Sequence, residues 1–336
     1  MVKKIYNKFK YFYKKFNLKI LNNICNILNN RNYSSNIAIV SSDKFKNKVL
    51  DDILLRYFIL KYKSNCEIVS WEDNNVNYTK YDLIVIRSIW GYQNSIDKFM
   101  KWLDKIERCS CLIVNDISML KNNFLKNKQI EILDKNKIPH INTSFIFEKK
   151  DLKKSLDFIL KNKFKNINNF VIKPVISGSG NNTYVLSLNG KNHFKNSIKL
   201  NEIESKFDFV FDNENNGIMI QPFMNEIFDG EYSVIFIKDK LIHCVKRSTN
   251  IFTDRYKVEV IKDVDDELIE LSNRIININE FKNYIFIRID LIKTKEVYKV
   301  MEIELLDPDL FFSYNKSIRN KGTMYFAKQL VKKIKK

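Results

Sequence analysis

The order in which the apolar segments change their period leaves this chain few ways to fold. From residue 36, short apolar runs alternate with helical stretches. Asn36 to Val40, Glu67 to Ser70 and Leu83 to Arg87 read as buried strands, with helices expected near residues 46 to 62 and 95 to 107. Such alternation predicts a small parallel sheet with crossover helices. Residues 111 to 160 add a strand (CLIVN), a Lys-rich helix around Lys121 to Asn136, a strand after Pro139 and a helix from Asp151. Beyond residue 168 strand follows strand: FVIKPV, TYVLSL, GIMIQPF, EYSVIFI, KLIHCVK, YIFIRIDLI and VYKVMEIEL. A helix at Asp263 to Ile278 interrupts them and one near Ile318 to Lys335 closes them, so this half reads as an α+β unit on antiparallel strands. A chain of 336 residues with 45% hydrophobic content and no stretch that reads as a long linker is expected to form two or three packed lobes.

The formal charge of +19 raises nucleic-acid binding as a reading. Lys, Asn and Ile are enriched together along the whole length, a compositional bias and not a designed basic face. Eight of the positive charges lie in residues 1 to 35, which hold no acid, and +11 remains for the other 301 residues. No specific nucleic-acid partner is expected. Within residues 1 to 35, Ile5, Phe9, Phe12, Phe16, Ile20 and Ile24 recur at spacings of three and four between lysines, the pattern of a basic amphipathic helix. Three readings stay open for this extension: a helix packed on the body, a weak contact with a membrane surface, or organelle targeting. The segment has no apolar run long enough to span a bilayer. Five cysteines without a C-x-x-C pair read as free thiols in a reducing, cytoplasmic setting, and three histidines leave little material for a zinc cage. Any bound metal is expected to rest on carboxylates.

Only seven glycines occur, and two fall within Ser177-Gly178-Ser179-Gly180, directly after FVIKPV and before another strand. Backbone N–H groups of such a loop can surround phosphate oxygens, although a plain hairpin turn explains the glycines equally well. Lys173 favours the phosphate reading. Alternation sets Val171, Lys173 and Val175 on one face, and an ammonium among apolar neighbours is costly unless it meets an anion.

The second constellation is acidic. Glu302 and Glu304 in VMEIELLDP are two apart, so on a strand their carboxylates leave the same face, about 7 Å apart. Asp290 in FIRIDLI joins them if the two strands pair as a hairpin. Three converging carboxylates call for a cation, and oxygen ligands suit Mg²⁺ held together with nucleotide phosphates. Arg288 shares its face with Asp290, either to stabilise a transferred phosphoryl group or oxyanion, or as a structural partner of the acids. Arg87, Ser88 and Trp90 end the strand LIVIR at the carboxyl edge, where open α/β sheets bind ligands, and are candidates for substrate contact; for Trp90 plain packing is the alternative.

Taken in order, Lys128 in its helix, Lys173 with the Gly/Ser loop, IMIQPF followed by GEYS, R-x-D and E-x-E resemble the ATP-grasp superfamily over about residues 36 to 315. The segments IRSIWGY, VIKPVISGSGNNTYVL, HCVKR and MEIELLDPDLFF are similar to its glutathione-synthetase-like, D-cycloserine-forming ligase branch. The resemblance implies an α/β plus α+β architecture. Residues 1–35 would be an N-terminal extension, 36–118 a pre-ATP-grasp domain with a small parallel sheet, 119–215 a small lobe and 216–336 a large lobe. The two lobes would clamp ATP. It implies an ATP- and Mg²⁺-dependent carboxylate–amine ligase with an acyl-phosphate intermediate, two magnesium ions and Mn²⁺ as a substitute.

The same resemblance carries roles to individual residues. Lys128 and Lys173 would meet the nucleotide phosphates, with Lys126 as an alternative to the first, and Ser177, Gly178, Ser179 and Gly180 would cover the phosphates. The adenine hinge falls on Gln221, Pro222, Phe223 and Met224, and the ribose hydroxyls on Glu231, with Glu226 a weaker choice. Asp290, Glu302 and Glu304 would hold the metal; better-known relatives have Asn at the last position. Arg288 and Lys173 would be catalytic, and Lys246 and Arg247 would meet phosphate or a substrate carboxylate. Gly91 stands where the family commonly has an acid, which leaves the substrate open. Two other classes compete: a nucleotide-binding protein of this fold without turnover, and a basic surface-associated protein acting through residues 1 to 35.

Overall fold

The computed structural model describes residues 18–29, 33–178, 180–189, 196–211, 216–250, 255–315 and 317–335. Residues 1–17, with Ile5, Phe9, Phe12 and Phe16 of the expected helix, and Ser179 lie outside them. Helix α1 covers residues 18–29. It presses Leu18, Leu21, Cys25 and Leu28 onto the body, while Ile20 and Ile24 of the expected apolar stripe are 43% and 40% exposed. The described part of the segment is therefore body, and the face that packs is not the one the periodicity marked. Asn29 accepts the Cys66 N–H and Asn26 accepts from Arg56, so the polar residues of α1 also tie it down.

The first sheet is parallel, with β1 (Asn36–Ser41), β2 (Asn65–Ser70), β3 (Leu83–Ile86) and β4 (Leu112–Val114) in the order β2-β1-β3-β4. Its strands are apolar on both faces because both are covered: α2 (Leu50–Lys61) and α3 (Ile96–Glu107) contribute to two separate cores.

The expected Lys-rich helix is two helices, α4 (Ile117–Asn123) and α5 (Lys126–Lys135), broken at Leu125, whose backbone is extended. The side-chain amides of Asn123 and Gln129, on either side of the break, bind a strand that would otherwise be an open sheet edge, β14 below. Asn123 donates to Ile303 O at 2.8 Å and accepts the Leu305 N–H at 2.9 Å, and Gln129 accepts the Ile303 N–H at 3.0 Å. Leu120, Phe124, Ile132 and Leu133 accordingly join the core of the first sheet and β14, not that of a small lobe beginning at residue 119.

The second sheet contains β5 (Ser144–Ile146), β6 (Asn169–Pro174), β7 (Tyr184–Ser187), β8 (Ser197–Ile198) and β9 (Ile218–Pro222) in the order β5-β9-β6-β7-β8. With α6 (Leu152–Phe158) and α7 (Ile203–Phe207) it encloses its own core around Phe164, Phe170, Phe207 and Ile220. The expected boundary at residue 215 thus falls too early, since β9 pairs with β6 and β5 inside this lobe. Gly217 marks the entry to β9: a Cβ there would lie 2.5 Å from Ile146 O.

The third sheet is antiparallel, with β10 (Glu231–Ile237), β11 (Lys240–Asn250), β12 (Arg255–Ile261), β13 (Phe286–Lys293) and β14 (Tyr298–Glu304) in the order β12-β11-β10-β13-β14. Helix α8 (Asp266–Ile276) packs on one side, and α9 (Arg319–Ile334) lies against α2. First and third sheets share both large cores, so the N-terminal domain and the large lobe are one packed body with the second sheet's lobe facing it. Among the described residues no helix is long and apolar enough to cross a membrane.

Asp51 and Asp52, both buried at the start of α2, tie this body together. Asp51 accepts the Phe312 N–H at 3.0 Å, and Asp52 accepts the Ser88 hydroxyl at 2.5 Å. Burial, then the charges of Asp309 and Asp52, push Asp51 up to about 7. An acid whose folded value exceeds its unfolded value of about 4 binds its proton more tightly when folded, so native stability is lost as pH rises from about 4 through 7. Asp51→Asn keeps an acceptor oxygen for Phe312 and removes this ionisation. Denaturant melts at pH 5 and pH 8 should show the variant gaining roughly 2–3 kcal/mol on the wild type between the two. An equal difference at both pH values contradicts the assignment.

Candidate active site

Strand register builds one charged face on the third sheet. Glu231 of β10 lies opposite Arg247 of β11, Ser233 opposite Asp290 of β13, and Arg288 and Asp290 opposite Glu304 and Glu302 of β14. A bulge at Met301 decides the last pairing. Tyr298 and Val300 pair with Lys293 and Leu291, after which the register shifts so that Glu302 meets Asp290. Strand sides repeat every two residues, so without the extra residue Glu302 and Glu304 would share the buried side of Val300. The bulge turns both acids to the side of Arg288 and Asp290.

Opposite this face, β6 presents Lys173, and together they line a cavity of about 780 Å³. Ser177, Gly178 and Gly180 of the turn after β6, the hinge after β9, Trp90, Tyr92, Gln93 and Lys126 also line it. Gly180 has the positive φ of +70° that the turn requires.

The acids are paired with the protein's own bases. Asp290 accepts from Ser233 Oγ at 2.6 Å and from Arg288 at 2.8–3.2 Å, and forms an ion pair with Arg247 at 2.9 Å. Burial alone would raise its pKa, but Arg247 and Arg288 outweigh burial and hold it below the usual carboxylate range. Glu302 pairs with Lys126 at 2.5 Å; there too burial is outweighed, by Lys126 and then Lys173, and the carboxyl is held low. Glu304 receives one Arg288 nitrogen at 2.5 Å, yet burial dominates, aided by Glu302 and Asp290, and pushes it up to about 7. Glu231, 2.6 Å from Arg247, is likewise pushed up to about 7 by burial. Burial lowers Lys173, whose ammonium has no hydrogen-bonding or ion-pair partner within the described residues.

Several expected positions differ from those observed. Lys128 pairs with Glu131 on the solvent side of α5 and does not reach the cavity. Lys126, two residues earlier and so on another side of the helix, is buried and also donates to Ser177 O at 3.0 Å. Arg87 and Ser88 are buried behind the cavity: Arg87 donates to Pro308 O at 3.1 Å and lies 3.4 Å from Asp52, while Ser88 bonds Asp52 and Ser41. Neither lines the cavity, because the strand's carboxyl end here meets the large lobe instead of solvent. Trp90 does line the cavity, with Nε1 on Asp307 O at 2.9 Å.

Lys246 lies over the Tyr232 ring beside Gly230 and not among the lining residues, whereas Arg247 is among them. Gly230, with φ +110° and Lys246 in the space a Cβ would need, lets β11 close onto the start of β10 and so sets Glu231. Of the hinge, Gln221 is 5% exposed and donates to Thr143, and the Phe223 N–H is taken by Asn169 O. The Met224 N–H, at this wall, has no backbone partner among the described residues. Glu226 does not line the cavity. Tyr92, Gln93, Asp307 and Phe311 were not singled out by sequence. Phe311 has both Arg247 and Arg288 over its ring at 5.5 Å.

Among the described residues no three acids already form a metal cage. The donor set nevertheless fits Mg²⁺ in kind: Glu302 and Glu304 each keep one carboxylate oxygen outside their ion pairs, on a cavity wall.

Residues 37–115 match the family model described as the N-terminal domain of the D-cycloserine synthetase DcsG. The structure of D-cycloserine synthetase DcsG aligns with a TM-score of 0.73 at 16% identity, over 89% of this chain and 99% of that one. D-alanine–D-alanine ligase from Bacillus anthracis, complexed with ATP, aligns with a TM-score of 0.62 at 15% identity, over 90% and 97%. The ATP-grasp ligase PsnB with its precursor peptide PsnA2 and AMPPNP aligns at 0.56 and 11% identity, over 91% and 100%. No curated protein matches by sequence. The chain therefore has the ATP-grasp fold, with the small parallel sheet and two α+β lobes that the resemblance implied.

Arg247 is the base shared by Glu231 and Asp290, so Arg247→Met leaves two buried carboxylates short of a partner. A loss of about 3–5 kcal/mol is expected from the urea midpoint at pH 7.5, with part recovered by adding Glu231→Gln. A loss below about 1 kcal/mol would show that the network does not depend on it.

Proposed function

We propose that this chain is an ATP- and Mg²⁺-dependent carboxylate–amine ligase that proceeds through an acyl phosphate and releases ADP and phosphate. One observation carries the reading: Lys173, a half-buried ammonium without a hydrogen-bond or ion-pair partner among the described residues, faces a sheet surface whose four acids share Lys126, Arg247 and Arg288. A visiting anion stabilises the charged form of such a lysine, and nucleotide phosphates supply that anion.

In this reading Lys126 and Lys173 meet the phosphates, and Ser177, Gly178 and Gly180 cover them. The Met224 N–H and the Gln221–Phe223 segment border the base, and Glu231 is the ribose acceptor. Glu302 and Glu304, with Asp290, would hold Mg²⁺, which when bound supplies charge neutralisation between phosphates and acids. A carboxylate oxygen of the substrate takes the terminal phosphoryl group as the bond to ADP breaks, and the amine nitrogen then displaces phosphate from the acyl carbon. Arg288, fixed by Asp290, Glu304 and Asp309 O, is oriented to stabilise the charge on that carbon's oxygen. The side chains act by position and charge and make no covalent bond.

Purified protein with ATP·Mg²⁺ should release ADP and phosphate with members of a pooled panel of amino acids and amines, and Asp290→Asn should not. Absence of ATP·Mg²⁺ binding by the wild type would defeat the proposal. Lys126→Ala should lose at least about 100-fold in kcat/KM for ATP, while Lys128→Ala stays within about twofold. The reverse pattern would return the phosphate role to Lys128.

A further inference from the structure

The wall of the cavity formed by the N-terminal domain and the segment after β14 has chemistry that the nucleotide does not use. Trp90, Tyr92, Gln93 and Asp307 line it. Tyr92 is 6% exposed, yet its hydroxyl has no hydrogen-bond partner among the described residues. Gln93 Nε2 is buried and also without a partner. The Asp307 carboxylate has none among the described residues either, although the carbonyls around it are engaged.

That backbone is braced to an unusual degree. Four successive carbonyls, of Asp307, Pro308, Asp309 and Leu310, accept from Trp90 Nε1 at 2.9 Å, Arg87 at 3.1 Å, Arg288 at 3.2 Å and His243 Nε2 at 2.8 Å. Asp309 Oδ1 accepts the Phe311 N–H, and Asp51 accepts that of Phe312. A loop held at four successive carbonyls but with one carboxylate uncommitted is shaped to present that carboxylate. The nearby guanidiniums of Arg288 and Arg247 are spent on Asp290, Glu304 and Glu231. Burial, then the proximity of Glu304, raises Asp307 well above the carboxylate range. What this wall lacks is a positive charge.

We infer that Tyr92, Gln93 and Asp307 form a subsite for the primary ammonium of an amino-acid substrate. Asp307 makes the ion pair, the Tyr92 hydroxyl accepts a second N–H, and Gln93 Nε2 donates to an oxygen of the same substrate. This rests on the ligase reading for its purpose, but not for its geometry. Selection is by charge: a carboxylic acid without the amino group leaves the Asp307 carboxyl unmatched.

The test uses the full chain with AMPPNP and Mg²⁺, by thermal shift and calorimetry. Two pools are compared, D- and L-amino acids and the corresponding acids lacking the amino group. The amino-acid pool should raise the melting temperature beyond that with nucleotide alone, and the des-amino pool should not. Asp307→Asn should weaken the active member at least about tenfold, and Tyr92→Phe by a smaller factor, with the nucleotide Kd retained in both. Equal response to both pools, response to neither, or undiminished binding by Asp307→Asn overturns the subsite. A wild type that answers the amino-acid pool but not AMPPNP·Mg²⁺ defeats the ligase reading and leaves the subsite standing.

Discussion

Everything in the site depends on burying alternating charges on one face of an antiparallel sheet. Carboxylates and guanidiniums cannot leave water singly at tolerable cost, and the register answers by placing each beside its opposite: Glu231 with Arg247, Asp290 with both arginines, Glu304 with Arg288, Glu302 with Lys126. Such a face is poised without being saturated. Glu304 and Glu231 are pushed up to about 7 because their partners do not fully offset burial. Lys173 has no hydrogen-bond or ion-pair partner among the described residues. The uncompensated groups lie where the proposed reaction brings phosphate and metal.

The same economy explains why the N-terminal domain is fused to the large lobe. Arg87, Trp90 and Asp51 spend their hydrogen bonds on the backbone between Asp307 and Phe312. Asn115, Asn123 and Gln129 do so around Ile303 and Leu305. Polar side chains that might be taken for ligand contacts therefore shape the strand and loop that carry the acids. Precision in the site comes from this second layer, because a carboxylate on a wandering loop would neither match its arginine nor select a substrate.

Much of this was legible in the sequence, for reasons that also mark where it stopped. Two-residue alternation put Arg288 with Asp290, and Glu302 with Glu304, since side-chain direction in a strand follows directly from spacing. The succession of strands and helices disclosed the parallel sheet and the antiparallel half. The bulge at Met301 was invisible, because nothing in YKVMEIE marks which residue is extra. The choice of Lys126 over Lys128 turns on a helix break at Leu125 that composition does not announce. Arg87 looked like a ligand contact because a strand end usually meets a crevice, and here another lobe fills it. Strand β9 crosses into the small lobe by pairing over long sequence distance, which no local pattern encodes. Tyr92, Gln93 and Asp307 come to line one cavity only in three dimensions.

The central claim is that this charged face activates a carboxylate by moving a phosphoryl group onto it. The most direct measurement follows the oxygen. With a turnover-supporting acid labelled with ¹⁸O in its carboxylate, one labelled oxygen should pass to inorganic phosphate for every ADP formed. Unlabelled phosphate, or release of AMP and pyrophosphate in place of ADP, would contradict the account.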